Sequence, residues 1–417
     1  MRYNALQVLK QGLAGNRGWK RAWRKPDPKP DYDIVIIGGG GHGLATAYYL
    51  ASVHRKTRIA VLEKGYFGGG SAGRNTTIVR ANYGLPGNSE FYSHSLKLWE
   101  GLEQELNFNL MHSQRGIINL FHSDGQRDAF ARRGNAMINQ GDDAILLDRA
   151  ACREMLPYLD YAQTRFPIYG GLYHPRGGTA RHDAVVWGFA RGADRLGVDL
   201  IDRCEVTGID VANGSVTGVQ TTRGAIRAKK IGVAVAGNSS RVAAMAGMRL
   251  PIESHVLQAF VTEGLKPVLD HVVTYGMGHF YISQSDKGGL VFGGDLDFYP
   301  SYASRGNLPM QEHVMEAGMT LMPMIGKARL LRSWGGIMDM SPDGSPIIDR
   351  SGVGGLYINT GWCYGGFKAT PGSGHCFAHL LATDRPHEAA ERLRLDRFET
   401  GRGLMDEEGT GAQHNLH

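Results

Sequence analysis

Along the first part of the chain the apolar positions change period. "YDIVIIGGGGHGLATAYYLA" opens on five residues, Asp33 to Ile37, that read as a buried parallel strand. It then breaks into glycines and continues from about Leu44 to Val53 as a helix. "RIAVLE" predicts a second short strand ending on Glu63. In "GGTARHDAVVWGFARGAD", residues 177–194, apolar residues recur at Val185, Val186, Phe189 and Ala193, one buried face of a helix beginning near His182. "CEVTGIDVANGSVTGVQTTRGAIRAKKIGVAVAGNSS" alternates as a β-meander does and ends on a strand and a Gly-Asn-Ser-Ser turn. Near the C-terminus, "SWGGIMDMSPDGSPIID" and "GLYINTGWCYGGFKATPGSGHCFAHLLA" predict a further strand and a Gly-rich loop leading into a helix.

A chain of 417 residues can bury a large core and is expected to form two domains, or one with a long insertion. Its 59 glycines follow no triplet repeat, so they imply tight turns and exclude collagen. The four cysteines (Cys152, Cys204, Cys363, Cys376) contain no C-x-x-C pair. That argues against a zinc cage or a disulfide framework and fits a reducing, cytoplasmic setting. No apolar run is long enough to cross a bilayer, so no membrane is expected. The net charge of +6 is uneven: residues 1–30 carry +7 and the rest −1. A nearly neutral body makes no case for nucleic acid. The basic leader holds Trp19 and Trp23, ends in a Pro-rich linker and lacks serine and threonine. Docking on a partner subunit is its expected role, with a presequence or plain disorder as alternatives.

Gly38-x-Gly40-x-x-Gly43 is weak evidence alone in a glycine-rich chain; its context is what makes it specific. Strand, turn and helix come in the required order, and Glu63 closes the second strand 20 residues past Gly43. Glycines let the backbone approach a pyrophosphate, Gly41 and His42 being expected among the cofactor-binding residues, and Glu63 can accept both ribose hydroxyls. Directly after Glu63, "KGYFGGGSAGRNTTIVRANY" brings Arg74, Asn75 and Arg80, a loop that an NAD-only domain has no need of. The late Gly-rich loop and helix could stabilise an anionic reduced flavin.

These motifs resemble the FAD-dependent amine and amino-acid oxidoreductases of the D-amino-acid oxidase and sarcosine oxidase type. The resemblance runs from about residue 30 to 400 and is carried by "GGGGHGLATAY", "VLEKG", "RNTTIVRANY", "CEVTG" and "GWCYGGFKATPG". Within the family it is nearest to the β subunits of heterotetrameric sarcosine oxidases. It implies an α/β fold in which a Rossmann-type FAD-binding domain is interleaved with an α+β substrate domain built on an antiparallel sheet. The FAD domain would take residues 31–95, 165–250 and 335–395, and the substrate domain 96–164 and 251–334, between an extension (1–30) and a tail (396–417).

By the same resemblance, Val206 lies at the adenine, and Arg74, Asn75, Thr76 and Ile78 form the flavin-ring loop. Cys363 and Gly366 stand in the second flavin loop, Cys363 as a packing residue with its backbone toward the cofactor. Arg80 and Lys368 match the positions that hold a substrate carboxylate; the chemistry suits them, Arg as a planar fork and Lys as a compact charge. Tyr281 is a candidate for the substrate wall. Val291 falls near the place where single-flavin relatives carry an oxygen-activating lysine, which implies another electron outlet. The resemblance supplies one, an FMN bound covalently to a histidine. His182 is expected to carry it: "ARHD" matches the attachment segment, and Gly177, Gly178 and Ala180 leave room for a ring system. The helix start there favours a neutral imidazole. His174, before Pro175 in "YHPRGG", is the competitor.

The implied reaction is the oxidative demethylation of sarcosine to glycine and formaldehyde, or to methylene-tetrahydrofolate, with electrons reaching oxygen as hydrogen peroxide. The implied partners are α, γ and δ subunits, with tetrahydrofolate bound through α. Two alternatives stay open: a single-flavin dehydrogenase of dimethylglycine, an opine or a D-amino acid, and a non-catalytic FAD-bearing subunit. The last predicts a ruined cationic clamp, whereas Arg80 and Lys368 are both present.

Overall fold

The computed structural model describes residues 5–18, 21–162, 165–297 and 299–404. Trp19 and the end of the tail, 405–417, lie outside the described residues. Two eight-stranded sheets organise the fold. The first runs Ile347–Arg350, Leu356–Thr360, Gly224–Val233, Asp31–Ile37, Ile59–Leu62, Asp199–Ile201. Its centre is parallel, with Ile37 opposite both Leu62 and Val233. Those strands are buried on both faces, as a continuous apolar run such as "IVII" requires. The meander is present as Val206–Ala212, Ser215–Thr221 and Gly224–Val233, and its last strand enters the parallel centre.

Helix α1 spans Ala5–Leu13, α2 Gly41–Ser52 and α3 Asn88–Leu106. α2 packs with the helices His182–Arg195 and Thr370–Thr383 in one apolar cluster that includes Leu44, Tyr48, Phe189, Phe377 and Leu381. The second sheet runs Leu330–Met340, Glu253–Gly264, Gly289–Leu296, Phe280–Gln284, Val272–Tyr275, Ile117–Phe121, Gly170–His174, Ile145–Asp148. It is antiparallel except where Val272–Tyr275 runs parallel to Ile117–Phe121. Two strands fall differently from the sequence-based boundaries. Gly170–His174 lies within the 165–250 stretch but pairs into the second sheet, with His174 opposite Ile117. Leu330–Met340 crosses residue 335 because it pairs along nearly its whole length with Glu253–Gly264.

The leader does not stand clear of the body. Trp23 meets Phe67 edge to face with ring centroids 6.0 Å apart. Arg24 pairs with Asp194 at 2.8 Å and Lys29 with Asp199 at 2.7 Å. α1 itself buries no residue and exposes Leu6, Val8, Leu9 and Leu13. Among the described residues no helix is long and apolar enough to cross a membrane.

Candidate active site

A cavity of about 980 Å³ opens between the two sheets. At one end lie the ends of the parallel strands and the first turn of α2. Gly38 has φ +111°, and a Cβ there would stand 2.2 Å from the Ala234 carbonyl oxygen. A Cβ on Gly43 would stand 2.0 Å from the Gly38 carbonyl oxygen. Both positions therefore demand glycine for the chain to turn at all. Gly40 is different: a Cβ there meets only Ala72, at 3.9 Å, so its small size serves the open space beside it. Gly40 caps α2 without a side-chain hydrogen bond, leaving first-turn N–H groups for an anion. The Glu63 carboxylate accepts from Gly39 N at 2.9 Å and from Gly65 N at 2.8 Å, which fixes it at the strand end. Val206, at the start of its strand, lines the same end. This end fits a dinucleotide.

Toward the middle, the loop from Arg74 to Ile78 lines the cavity and is held from several sides. Arg74 donates to Gly69 O at 2.7 Å, and Trp334 donates to Arg74 O at 2.7 Å. Asn75 Oδ1 accepts from Thr77 N at 2.7 Å, and Ile78 pairs with Thr179 in a short ribbon. Thr76 hydrogen-bonds the Tyr281 hydroxyl, whose burial pushes it up to about 12, so Tyr281 presents a neutral phenol. His42, at the second position of α2, has its Nε2 2.7 Å from Gly366 O and its Nδ1 2.7 Å from Ser373 Oγ. A carbonyl can only accept, so Nε2 carries the proton and Nδ1 accepts from the serine. Burial pushes His42 down to about 4 and keeps it neutral. Cys363 has φ +46° and accepts at Sγ from Ser341 N at 3.4 Å.

The far end gathers the two expected cations. Arg80 is 6% and Lys368 5% exposed. Arg80 donates to Asn82 Oδ1 at 2.6 Å, and Asn82 to Asn119 Oδ1 at 2.7 Å. Lys368 Nζ donates to Tyr364 O at 2.9 Å and to the Tyr83 hydroxyl at 3.3 Å. One ring lies beside both: Tyr83, 5.0 Å from the Arg80 guanidinium and 5.8 Å from Lys368 Nζ. Tyr83 stacks on Tyr92 at 3.9 Å. Such faces lower the cost of keeping two cations out of water.

Sequence reasoning passed over Tyr83, Tyr92 and Asp339. Asp339 Oδ2 accepts from the Gly361 and Trp362 N–H groups, at 2.6 and 3.1 Å, and from Thr360 Oγ1 at 3.0 Å. It thereby shapes the loop leading to Lys368, although burial raises its carboxyl above the usual range. Its only signal in the sequence was an aspartate in an otherwise apolar strand end, "IMDM".

Three sequence candidates fall elsewhere. Gly43 packs beneath Gly38 and is not among the lining residues. Val291 is not among the lining residues either; it sits mid-strand opposite Ser283 and Val261. His182 opens its helix but is not brought to the cavity, which that helix borders through Val185 and Val186. Its half-buried ring keeps Nδ1 without a hydrogen-bond partner, and burial lowers its pKa. His174 is 1% exposed; its Nδ1 lies 2.9 Å from Asp143 O, and Ala81 N donates to its Nε2 at 3.4 Å.

The model of the FAD-dependent oxidoreductase family matches residues 33–380. Over all 417 residues the chain is 67% identical to "Sarcosine oxidase subunit beta" of Rhizobium meliloti (strain 1021), covering the whole of both. It is 47% identical to the protein of that name from an Arthrobacter species, over 94% of this chain and 96% of the relative. Among solved structures it is similar to L-proline dehydrogenase from P. horikoshii, with a TM-score of 0.84 and 27% identity over 90% of this chain and 99% of that one. The chain belongs to the FAD-dependent oxidoreductase family and, within it, to the sarcosine oxidase β subunits.

Proposed function

We propose that this chain oxidises sarcosine at an FAD held in the cavity, Arg80 and Lys368 receiving the substrate carboxylate. The observation carrying the reading is the pair of buried cations sharing the Tyr83 face, in a chain 67% identical to a sarcosine oxidase β subunit. FAD, when bound, supplies the acceptor for a hydride from the N-methyl group. Gly40 and the first turn of α2 hold its pyrophosphate, Glu63 its ribose, and Arg74, Asn75, Thr76 and Ile78 border its ring. Cys363 and Gly366 stand on the opposite loop. A carboxylate between Arg80 and Lys368 compensates two buried charges, which orients the amine by one end of the molecule. The neutral Tyr281 phenol forms part of the wall without competing for the clamp. Hydrolysis of the imine product gives glycine and formaldehyde.

The same reading includes an FMN joined covalently to His182, supplying an onward electron outlet to oxygen. Its support is the half-buried His182 ring with an unpartnered Nδ1, against a His174 whose two nitrogens are both engaged. Peptide mass mapping decides it: the FMN mass is expected on the fragment containing His182, and finding it on the fragment containing His174 overturns the assignment. The relatives are named as subunits, and the chain is proposed to work in an assembly with α, γ and δ subunits. A cytoplasmic setting accords with four buried cysteines that form no disulfide with one another. Anaerobic mixing of the flavin-loaded protein with sarcosine tests the core of the proposal: the bound flavin must lose its oxidised absorbance.

A further inference from the structure

On the side of α2 away from Gly40, five histidines gather where α2, α3, the Thr370 helix and the segment after it meet. His94 Nε2 lies 3.2 Å from His375 Nδ1. The His387 ring is 5.0 Å from each of them, centroid to centroid. Cys376, fully buried, follows His375 in the helix. One donor atom from each of His94, His375, Cys376 and His387 falls within 4.8 Å of the others. His379 and His54 continue the group, with ring centroids 5.4 Å from His387 to His379 and 5.5 Å from His379 to His54. His54 Nε2 is buried without a hydrogen-bond partner.

Three imidazoles and a thiol from three separate segments are an expensive set to pack together. His94 and His375 can share one hydrogen bond, since each neutral imidazole has one donor and one lone pair, and a cysteine adds only a weak pair. We propose that His94, His375, Cys376 and His387 form a binding site for a divalent metal ion of the zinc class, which braces α3 against the Thr370 helix. Tetrahedral zinc has bonds of about 2.0–2.1 Å to nitrogen and 2.3 Å to sulfur, so its ligand atoms stand roughly 3.3–3.8 Å apart. The present spread, at most 4.8 Å, exceeds that by about 1 Å or slightly more. Mixed nitrogen and sulfur donors favour a borderline-soft ion over calcium or magnesium. An ion would replace the contact between His94 Nε2 and His375 Nδ1, while Ala389 N donates to His387 Nδ1 at 3.1 Å and leaves that ring's Nε2 to ligate.

The site lies behind the substrate clamp. The residue after His94 is Ser95, whose hydroxyl donates to the Lys368 carbonyl at 2.8 Å. The Thr370 helix begins two residues after Lys368. An ion there would fasten the two elements that set the Lys368 loop, without touching the cavity.

Flavin-loaded protein, in the assembly in which it is isolated, is stripped with a chelator and dialysed against zinc. Metal is then counted by mass spectrometry. The wild type is expected to hold one more zinc equivalent per chain than the double variant His94→Gln/His387→Gln, at equal flavin content. Each single variant should bind at least about 10-fold more weakly in competition with a chromophoric chelator. Zinc should raise the thermal midpoint of the wild type and not of the double variant. Cobalt loading should give a thiolate-to-metal charge-transfer band in the wild type, a reading that needs no cysteine variant to fold. Equal zinc counts in wild type and double variant, or a wild type with no zinc-dependent thermal shift, overturn the site. A cobalt spectrum without the thiolate band overturns the part given to Cys376.

Discussion

Trp99 donates its indole N–H to the backbone carbonyl of Lys368 across 2.8 Å, although 269 positions separate them in the chain. Ser95, one turn earlier on α3, donates to the same oxygen. The cation at the far end of the cavity is thus set by two donors from another segment. Trp99→Phe keeps a large ring and removes one bond, so it should cost about 1 kcal/mol of stability. Loosening of Lys368 should raise KM for sarcosine several-fold while flavin content stays full. Steady-state kinetics beside a thermal scan check this; an unchanged KM would leave Trp99 with a packing role alone.

The glycines of the first turn should separate folding from cofactor binding. Gly43→Ala places a methyl 2.0 Å from a backbone oxygen and should abolish soluble expression or cost several kcal/mol. Gly40→Ala meets only Ala72 and should fold normally, yet lose its FAD, because the methyl enters the space the pyrophosphate needs. Circular dichroism and flavin content per chain give the two readouts.

Glu63→Ala should weaken FAD retention. Two charge-assisted bonds to the ribose are lost, at about 1.5–3 kcal/mol each, together with the anchors to Gly39 and Gly65 N–H. Flavin remaining after prolonged dialysis measures it, and full occupancy in the variant would contradict the role.

The dinucleotide end was legible in the sequence because its constraints are written in residue type. Gly38 and Gly43 are there because no side chain fits, and Glu63 because a strand ends on a carboxylate. Lys368 was legible only through family likeness: nothing local shows that Ser95, Trp99, Tyr83 and Tyr92 converge on it. The strand Gly170–His174, within the 165–250 stretch expected in the FAD domain, pairs into the second sheet, since a short strand carries no mark of its pairing partner. The histidine cluster escaped notice for a like reason. Only His375 and Cys376 adjoin, and His94 and His387 arrive by tertiary packing rather than by a metal-ligand spacing.

His42 should give the protein an acid sensitivity of known direction. Burial holds it down to about 4 in the fold, against 6.5 when exposed. Above pH 6.5 the full stabilisation is present; as pH falls from 6.5 toward 4, the unfolded chain takes up a proton that the fold resists. That span corresponds to roughly 3 kcal/mol. His42→Gln should be less stable at pH 7.5, from lost bonds to Gly366 and Ser373, but should show a flatter decline toward pH 4.5. Thermal midpoints across that range test it; parallel curves would remove His42 from the account.

The central claim is that this chain oxidises sarcosine with Lys368 and Arg80 on the carboxylate. The most direct measurement is anaerobic stopped-flow mixing of flavin-loaded protein with sarcosine, following the oxidised FAD absorbance in the wild type, Lys368→Met and Arg80→Met. The wild type should bleach with a saturating dependence on sarcosine. Each variant should need roughly 10- to 150-fold more substrate or reduce correspondingly more slowly, the loss expected for one ionic hydrogen bond of about 1.5–3 kcal/mol. A wild type that sarcosine does not bleach, or a Lys368→Met variant that bleaches at the wild-type rate and concentration, would contradict it.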